Sequence, residues 1–451
     1  MLLGNHNRYL VAVTVRYSPD SVTASAAVAF VLRLGRALHA YGYAAHQLEG
    51  VLRQAAERLG LSAQFFATPT SIFASFGPQD DQRTHLMRVE PGDVDLGKLA
   101  LLDGVARDVL DGRVSPADGS RRIEQITRAS SPYGRALTVA AFTVASGAAC
   151  RILGGGAREI VASSLIGLVT GVLASVSARA PGVRRVFEPT AALVASAIAT
   201  IIAVRAGPLS MYVTTLAGLI VLLPGLTFTL ALTELTTQNL LSGTARFAAS
   251  MVVFLGIALG VALGQKTAHL MLGAPVPPNS VVAALPGWTE WIALLLAPFA
   301  FAVLLKAQPR DTLWTLAVCL LGFEAGRLGS RLFDPQLGVF FGALTVGIAS
   351  NLYGRFARRP APVTQVPGIL LLLPGSIGFR SLAAMLDQQT LSGIESFFTM
   401  VLTAAALVTG LLTANVLAPP ERWSGAGGLA GIEPVGVERA SREYRVPTKS
   451  D

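Results

Sequence analysis

The sequence predicts a polytopic α-helical membrane protein, with about ten spans in a five-plus-five inverted repeat behind a small cytoplasmic α+β domain. Three observations predict it. Of the 451 residues, 52% are hydrophobic and only 14% charged. The charge is segregated: residues 1–130 have ordinary polarity, 134–417 are almost wholly apolar, and 418–451 are polar again. Third, residues 221–247 recur 150 positions later as 371–397. Without a gap, Leu222, Pro224, Gly225, Leu232, Gln238, Ser242, Gly243 and Phe247 face Leu372, Pro374, Gly375, Leu382, Gln388, Ser392, Gly393 and Phe397. An upstream echo, Phe187-Glu188-Pro189 against Phe333-Asp334-Pro335, keeps the same order, so the chain carries an internal duplication.

Residues 1–21 read as a tail without the apolar core of a signal peptide, which keeps the following domain, 22–130, in the cytoplasm. From Val22 to Leu59 apolar residues recur at helical spacing, interrupted at Tyr41-Gly42-Tyr43, and predict two helices. Ala63–Phe76 predicts two strands around Thr68-Pro69-Thr70, and His85–Val89 a third. Leu96–Leu110 is an amphipathic helix, and Ser115-Pro116-Ala117-Asp118 a helix start.

Ten spans follow, roughly 134–153, 159–178, 188–205, 208–232, 244–264, 288–306, 312–330, 335–353, 364–386 and 394–417, each near the ~20 residues that cross hydrocarbon. They divide into a first membrane repeat (131–264), an extracytoplasmic linker (265–287) and a second repeat (288–418), with a disordered cytoplasmic tail at 419–451. Arg179, Arg184, Arg185, Lys306, Arg310, Arg355, Arg358 and Arg359 fall in the loops that this count places inside, so both termini come out cytoplasmic. The duplicated marks fall on the third to fifth and eighth to tenth spans. An odd number of spans per copy inverts the second copy, the arrangement on which alternating access is built.

The net charge of +9 is explained by these loops rather than by nucleic acid. Cys150 and Cys319 lie in different spans and imply neither a disulfide nor a metal centre. His39, His46 and Glu49 lack metal-ligand spacing, and Gly154-Gly155-Gly156 lacks the Lys-Ser/Thr of a phosphate-binding loop, so no metal, cofactor or ATP drive is expected.

Each Pro-Gly pair follows an apolar run and precedes a polar segment. Proline removes a backbone donor and glycine adds freedom, so both spans are expected to break. Matched broken spans are the strongest sequence pointer to a transporter's substrate site. The candidate substrate residues are Pro224, Gly225, Thr227, Gln238, Asn239, Ser242, Gly243 and Arg246 in the first copy. In the second they are Pro374, Gly375, Arg380, Gln388, Gln389, Ser392 and Gly393. Hydroxyls, amides and free helix ends suit a zwitterion. Ser-Gly could instead cap a helix and let two spans approach, and Arg246 and Arg380 could instead snorkel to the interface. Ionisable groups within spans are functional candidates: Glu324, with Arg327 one turn on, Glu234 and Asp387 are candidates for proton coupling. Glu188 and Asp334 read as helix-start acids, and Thr68-Pro69-Thr70 with Glu49 as a small polar pocket or turn chemistry.

The sequence also resembles the threonine/serine exporter family of bacterial membrane proteins from about Val31 to Ala418. The resemblance rests on Leu34-Gly35-Arg36-Ala37-Leu38, Tyr41-Gly42, Glu49, Thr68-Pro69-Thr70 and Leu101-Leu102-Asp103. In the membrane part it rests on Leu222-Leu223-Pro224-Gly225, Leu241-Ser242-Gly243-Thr244-Ala245-Arg246, Val366-Pro367-Gly368 and Leu372-Leu373-Pro374-Gly375-Ser376. It implies a proton-motive-force-driven exporter of small amino acids, chiefly L-threonine and L-serine, in a bacterial cytoplasmic membrane. The partners implied are substrate, protons, lipid and possible further copies of the chain. Related two-chain systems point to the alternative, export of small carboxylates such as succinate. A membrane-anchored enzyme is the reading from another class. The N-terminal domain shows no nucleophile–base pattern for it, and ten spans exceed what an anchor requires.

Overall fold

The computed structural model describes residues 19–420 apart from 91, 180, 185, 208, 274–284 and 373–389. Its first domain follows the sequence pattern closely. Helix α1 (Pro19–Ala40) ends at Gly42, whose φ of 97° only glycine adopts without strain, and α2 (Ala45–Arg58) folds back on it. The chain then forms an antiparallel sheet in the order β1-β2-β3 (Ala63–Thr68, Ser71–Phe76, Arg83–Arg88). Phe65 and Ala67 on β1, with Ile72, Ala74 and Phe76 on β2, alternate into the core; β3 is an exposed edge. Helices α3 (Leu96–Leu110) and α4 (Pro116–Arg128) complete the domain, and the Ser115 side chain caps α4 by accepting from the Asp118 N–H at 3.1 Å. Leu34, Leu48, Ile72, Leu96 and Leu102 are wholly buried, each worth about 1.5–3 kcal/mol of apolar burial.

The apolar part consists of α5 (Arg135–Ile152), α6 (Ala157–Ser177), a single turn α7 (Pro181–Arg184), α8 (Phe187–Arg205), α9 (Met211–Gly218), α10 (Gly225–Thr236) and α11 (Leu240–Leu272). After the linker come α12 (Trp288–Leu304), α13 (Thr312–Leu332), α14 (Pro335–Ala357), α15 (Pro362–Leu371) and α16 (Thr390–Leu417). Among the described residues five helices, α6, α8, α11, α14 and α16, are long and apolar enough to span a membrane; α9 with α10, bent by 55°, makes a sixth. Ten were expected. Of the others, α12 has 17 residues, α13 carries Glu324, Arg327 and Arg331, and α5 has Arg135 and Arg151 at its ends, while most of the expected ninth span, 364–386, lies outside the described residues beyond α15. Helix α11 also continues to Leu272, beyond the expected end of the first repeat at 264.

The two halves touch in separate apolar patches. Leu226 on α10 packs against Ala343, Ile369, Leu407 and Leu411, and α5 packs on α12 through Ala145, Ala148, Leu294 and Phe301. The core of the first domain runs on into the apolar part through Ala302 and Ala307.

Candidate functional site

The Pro224-Gly225 break forms as the sequence predicts. Helix α9 stops at Gly218, a 3-10 turn covers Ile220–Leu222, and Pro224 precedes the first residue of α10. Gly218 is required by closeness: a Cβ there would lie 2.4 Å from the Ile166 side chain. Freed backbone groups find partners, with Ser146 Oγ donating to the Gly218 carbonyl at 3.4 Å and Leu222 N–H to the Leu219 carbonyl at 2.8 Å. Thr227 is half-buried just past the break, and Leu226 beside it meets the second half. Thr229 donates back to the Gly225 carbonyl at 2.9 Å.

Helix α10 ends in a paired-carbonyl cap. Asn239 N–H donates to the Glu234 carbonyl at 2.8 Å and Gln238 N–H to that of Leu235 at 3.2 Å. Gln238 takes the left-handed conformation, φ 64°, that such a cap requires. Asn239 Nδ2 donates to the Thr237 carbonyl at 3.0 Å, so this amide serves the turn. Helix α11 then returns against α10 at Gly243, where a Cβ would stand 2.8 Å from the Leu235 backbone nitrogen. The close-approach reading of Ser-Gly therefore holds for the glycine.

The serine does something else. This hairpin buries Glu234 completely. Its Oε2 accepts from Ser242 Oγ at 2.7 Å and pairs with Arg246 Nε at 3.0 Å, while its Oε1 accepts from the Ala45 backbone N–H at 3.0 Å. Ala45 is the first residue of α2, so the donor is a helix N-terminus of the soluble domain. A buried ion pair is tolerated only when its remaining lone pairs are also satisfied, and these donors do that. Arg246, with 15% of its side chain exposed, thus meets Glu234 instead of snorkelling.

Two further titratable groups stand on the soluble side. His39 is 3% exposed and neither ring nitrogen completes a well-formed hydrogen bond. Burial first, then the Arg246 charge, hold it below its usual 6.5, against the opposing pull of the Thr68 and Pro69 backbone and of Glu234. Glu49 accepts from the Ala67 N–H at 2.7 Å; burial raises it above the ordinary carboxylate value, and that bond and Arg53 partly offset the rise. Thr68 Oγ1 and Ser71 Oγ lie 2.7 Å apart, so this threonine serves the hairpin turn.

Other candidates lie elsewhere. Glu324, with 42% of its side chain exposed, is 3.9 Å from Arg327, which also reaches Glu290 at 3.4 Å. Ser392 is exposed and Gly393 buried at the start of α16, unlike the buried Ser242. Pro374, Gly375, Arg380, Asp387, Gln388 and Gln389 lie outside the described residues. Among the described residues no group of three metal-ligating side chains assembles. Asp334 caps α14 by accepting from Leu337 N–H at 2.8 Å, and Glu188 lies in the first turn of α8, as helix-start acids.

A second junction was not anticipated. Leu96 and Gly97 at the start of α3 donate to the carbonyls of Leu305 and Lys306 at 2.9 and 3.1 Å. Nearby, buried Asp311 accepts from Tyr353 Oη at 3.0 Å and pairs with Arg359 at 2.5 Å. A lone acid in a loop otherwise filled with cations was the available signal.

The repeat sharpens the picture. At the same offset of 150, Glu234 and Arg246 correspond to Ala384 and Ser396, so only the first copy carries the buried pair.

A family profile described as "Putative threonine/serine exporter" matches residues 29–268, and a second, described as "Threonine/Serine exporter, ThrE", matches 290–417. The chain is 25% identical to a threonine/serine exporter of Corynebacterium glutamicum, over 77% of this chain and 73% of that protein. It is 26% identical to pheromone-regulated membrane protein 10 of Candida albicans, over 78% of this chain and 33% of that protein. An uncharacterized Schizosaccharomyces pombe protein is 24% identical over 77% of this chain and 47% of its own length. The chain thus spans between a third and a half of the fungal relatives. No solved structure matches it.

Proposed function

The chain belongs to the threonine/serine exporter family, a family of membrane transporters rather than enzymes, and from that premise we propose that it exports small polar amino acids in exchange for protons. The observation that carries the reading is the Glu234–Arg246 pair, buried at the end of a broken helix whose other end packs against the second half. A zwitterion offers the mirror of that pair. Its carboxylate replaces Glu234 on Arg246, and its ammonium replaces Arg246 on Glu234. A proton arriving on Glu234 then releases the ammonium. Substrate and proton compete for one carboxylate, the condition for exchange, and the two halves rock to present the site to either side. Ser242 supplies a further donor, while Thr227 and the N-terminus of α10 at Pro224-Gly225, about 13 Å away along the helix, line the approach. Glu324 shares Arg327 with Glu290, so we assign coupling to Glu234 first.

The family's name and the Corynebacterium relative favour L-threonine and L-serine. Cation-rich loops and that relative favour a bacterial cytoplasmic membrane with both termini inside. Export of a dicarboxylate is the second reading. It fits less well, because Arg246 already faces an acid that would repel the substrate's second carboxylate.

The test is efflux of labelled L-threonine from loaded proteoliposomes, with and without a pH gradient and with L-serine or succinate as competitor. Gradient-stimulated efflux blocked by serine and lost in Glu234→Gln is the expected result. Succinate flux without threonine flux would overturn the assignment of substrate, and a gradient response retained by Glu234→Gln the assignment of coupling.

A further inference from the structure

A second ligand surface lies away from the Glu234 site, on the outer face of α5 and α6. These helices are antiparallel neighbours, so the start of α5 and the end of α6 lie together. Between them runs an open groove of about 550 Å³, lined by Val139 and Val144 from α5 and Leu168 and Val172 from α6. Leu168 is 41% and Val172 48% exposed, so neither is covered by the protein itself. From Arg135 to Val144 the groove follows α5 for about 14 Å at the helical rise of ~1.5 Å per residue. One end is cationic: Arg135 and Arg179 line the groove there.

Neither arginine forms an ion pair among the described residues, whereas Arg184 nearby pairs with Asp93. The neighbours 180, 181, 183 and 185 are Ala, Pro, Val and Arg, so they supply no acid. An apolar slot that closes on two guanidinium groups, neither ion-paired among the described residues, at the end of a helix pair matches an acyl chain followed by a phosphate.

We propose that the α5–α6 groove binds an anionic phospholipid, its acyl chain against Val139, Val144, Leu168 and Val172 and its headgroup phosphate on Arg135 and Arg179. Charge argues against the other occupants. A second copy docked here in the same membrane orientation would bring its own Arg135 and Arg179 against these, like charges at an apolar interface. An amino acid finds too little polar lining for its two charges. The proposal is independent of the export reading.

The experiment is native mass spectrometry of the purified full chain, titrated with phosphatidylglycerol or phosphatidylcholine of identical acyl chains. At about five-fold per arginine, phosphatidylglycerol is expected to bind about thirty-fold more tightly, and Arg135→Gln/Arg179→Gln to remove that preference while leaving phosphatidylcholine adducts unchanged. A second variant, Val172→Trp, fills the slot and leaves the arginines in place. It is expected to lose the tight phosphatidylglycerol adduct with the protein still monodisperse. Equal affinity for both lipids, a preference that survives the arginine variant, or a tight adduct that survives Val172→Trp would each overturn the proposal. So would a disulfide-linked dimer of Val172→Cys, which would make this face a subunit contact.

Discussion

Replacing Glu234 by glutamine probes the junction with almost no change in shape. The carboxylate serves two sides: Oε1 takes the Ala45 N–H, and Oε2 takes Ser242 and Arg246. A glutamine amide has one oxygen and one NH₂, so in either orientation a donor faces a donor, at Ala45 or at Arg246. Hydrogen bonds to charged groups contribute about 1.5–3 kcal/mol, so local opening at Ala45 should become about ten- to 150-fold more frequent at ~1.36 kcal/mol per decade. Hydrogen exchange of the full chain in lipid nanodiscs reads this directly. Peptides covering Ala45–Leu48 should exchange faster, and those covering α3 should not. Arg246→Gln leaves the carboxylate buried without its cation, a loss of about 3–5 kcal/mol. Removing both charges should restore much of the protection, so the effects should be non-additive by more than ~1.5 kcal/mol. Unchanged exchange at Ala45, equal acceleration throughout the soluble domain, or additive effects in the double variant would refute the reasoning.

Other perturbations test the remaining contacts. A Cβ at Gly97 would stand 2.5 Å from the Lys306 carbonyl oxygen, so Gly97→Ala should weaken the second junction by about 1–3 kcal/mol; trypsin should cleave after Lys306 about five- to 150-fold faster. His39 is held below 6.5 by burial and Arg246. The folded state therefore binds fewer protons than the unfolded state between that lowered value and 6.5. Its contribution is complete above 6.5 and declines as the pH falls through that window. Thermal stability should accordingly drop as the pH falls below 6.5, and His39→Leu should flatten the drop. Gln238→Gly relieves a left-handed non-glycine and should stabilise the α10 cap by about 0.5–1 kcal/mol with transport intact; loss of threonine efflux with an intact fold would mean that the Gln238 side chain contacts substrate.

The soluble domain was legible because its signals are local. Alternation in Ala63–Phe76, the Ser115 cap and the Gly42 break each depend on a few neighbours, and the elements formed where the pattern put them. The Pro224-Gly225 break was legible for the same reason. Arg246, Ser242 and Glu234 could each be picked out as polar groups near the break, but not that the first two share Glu234 as their partner. The Glu234 site is assembled from residues 189 positions apart, and its third donor is a backbone amide, invisible to any reading of side chains. The duplication also drew attention to positions that match between copies, such as Gln238, which the structure assigns to a helix cap. The charged pair sits where the copies differ, Glu234 against Ala384 and Arg246 against Ser396. Here the site therefore combines a matched residue, Ser242, with a charged pair found in one copy alone.

That asymmetry bears on how the molecule moves. The soluble domain holds the first half through Ala45 on Glu234 and the second through Leu96 and Gly97 on the 305–306 carbonyls. Both contacts belong to one small domain with a single core, in which α1, α2 and α3 pack together around Leu34, Leu48 and Leu102. A packed core does not stretch to follow two moving anchors. On the proposed exchange reading, rocking of one half against the other breaks the contacts on one side, which also include the Asp93–Arg184 pair towards the first half and Ala100 against Tyr353 and Val363 in the second, or carries the domain with one half. The Glu234 contact is the one whose acceptor can change its charge. A proton or an ammonium at Glu234 weakens its hold on Ala45, whereas the carbonyls at 305–306 have no titratable counterpart. On that reading, the junction expected to respond to ligand is thus the one at the broken helix, with the first domain expected to stay with the second half.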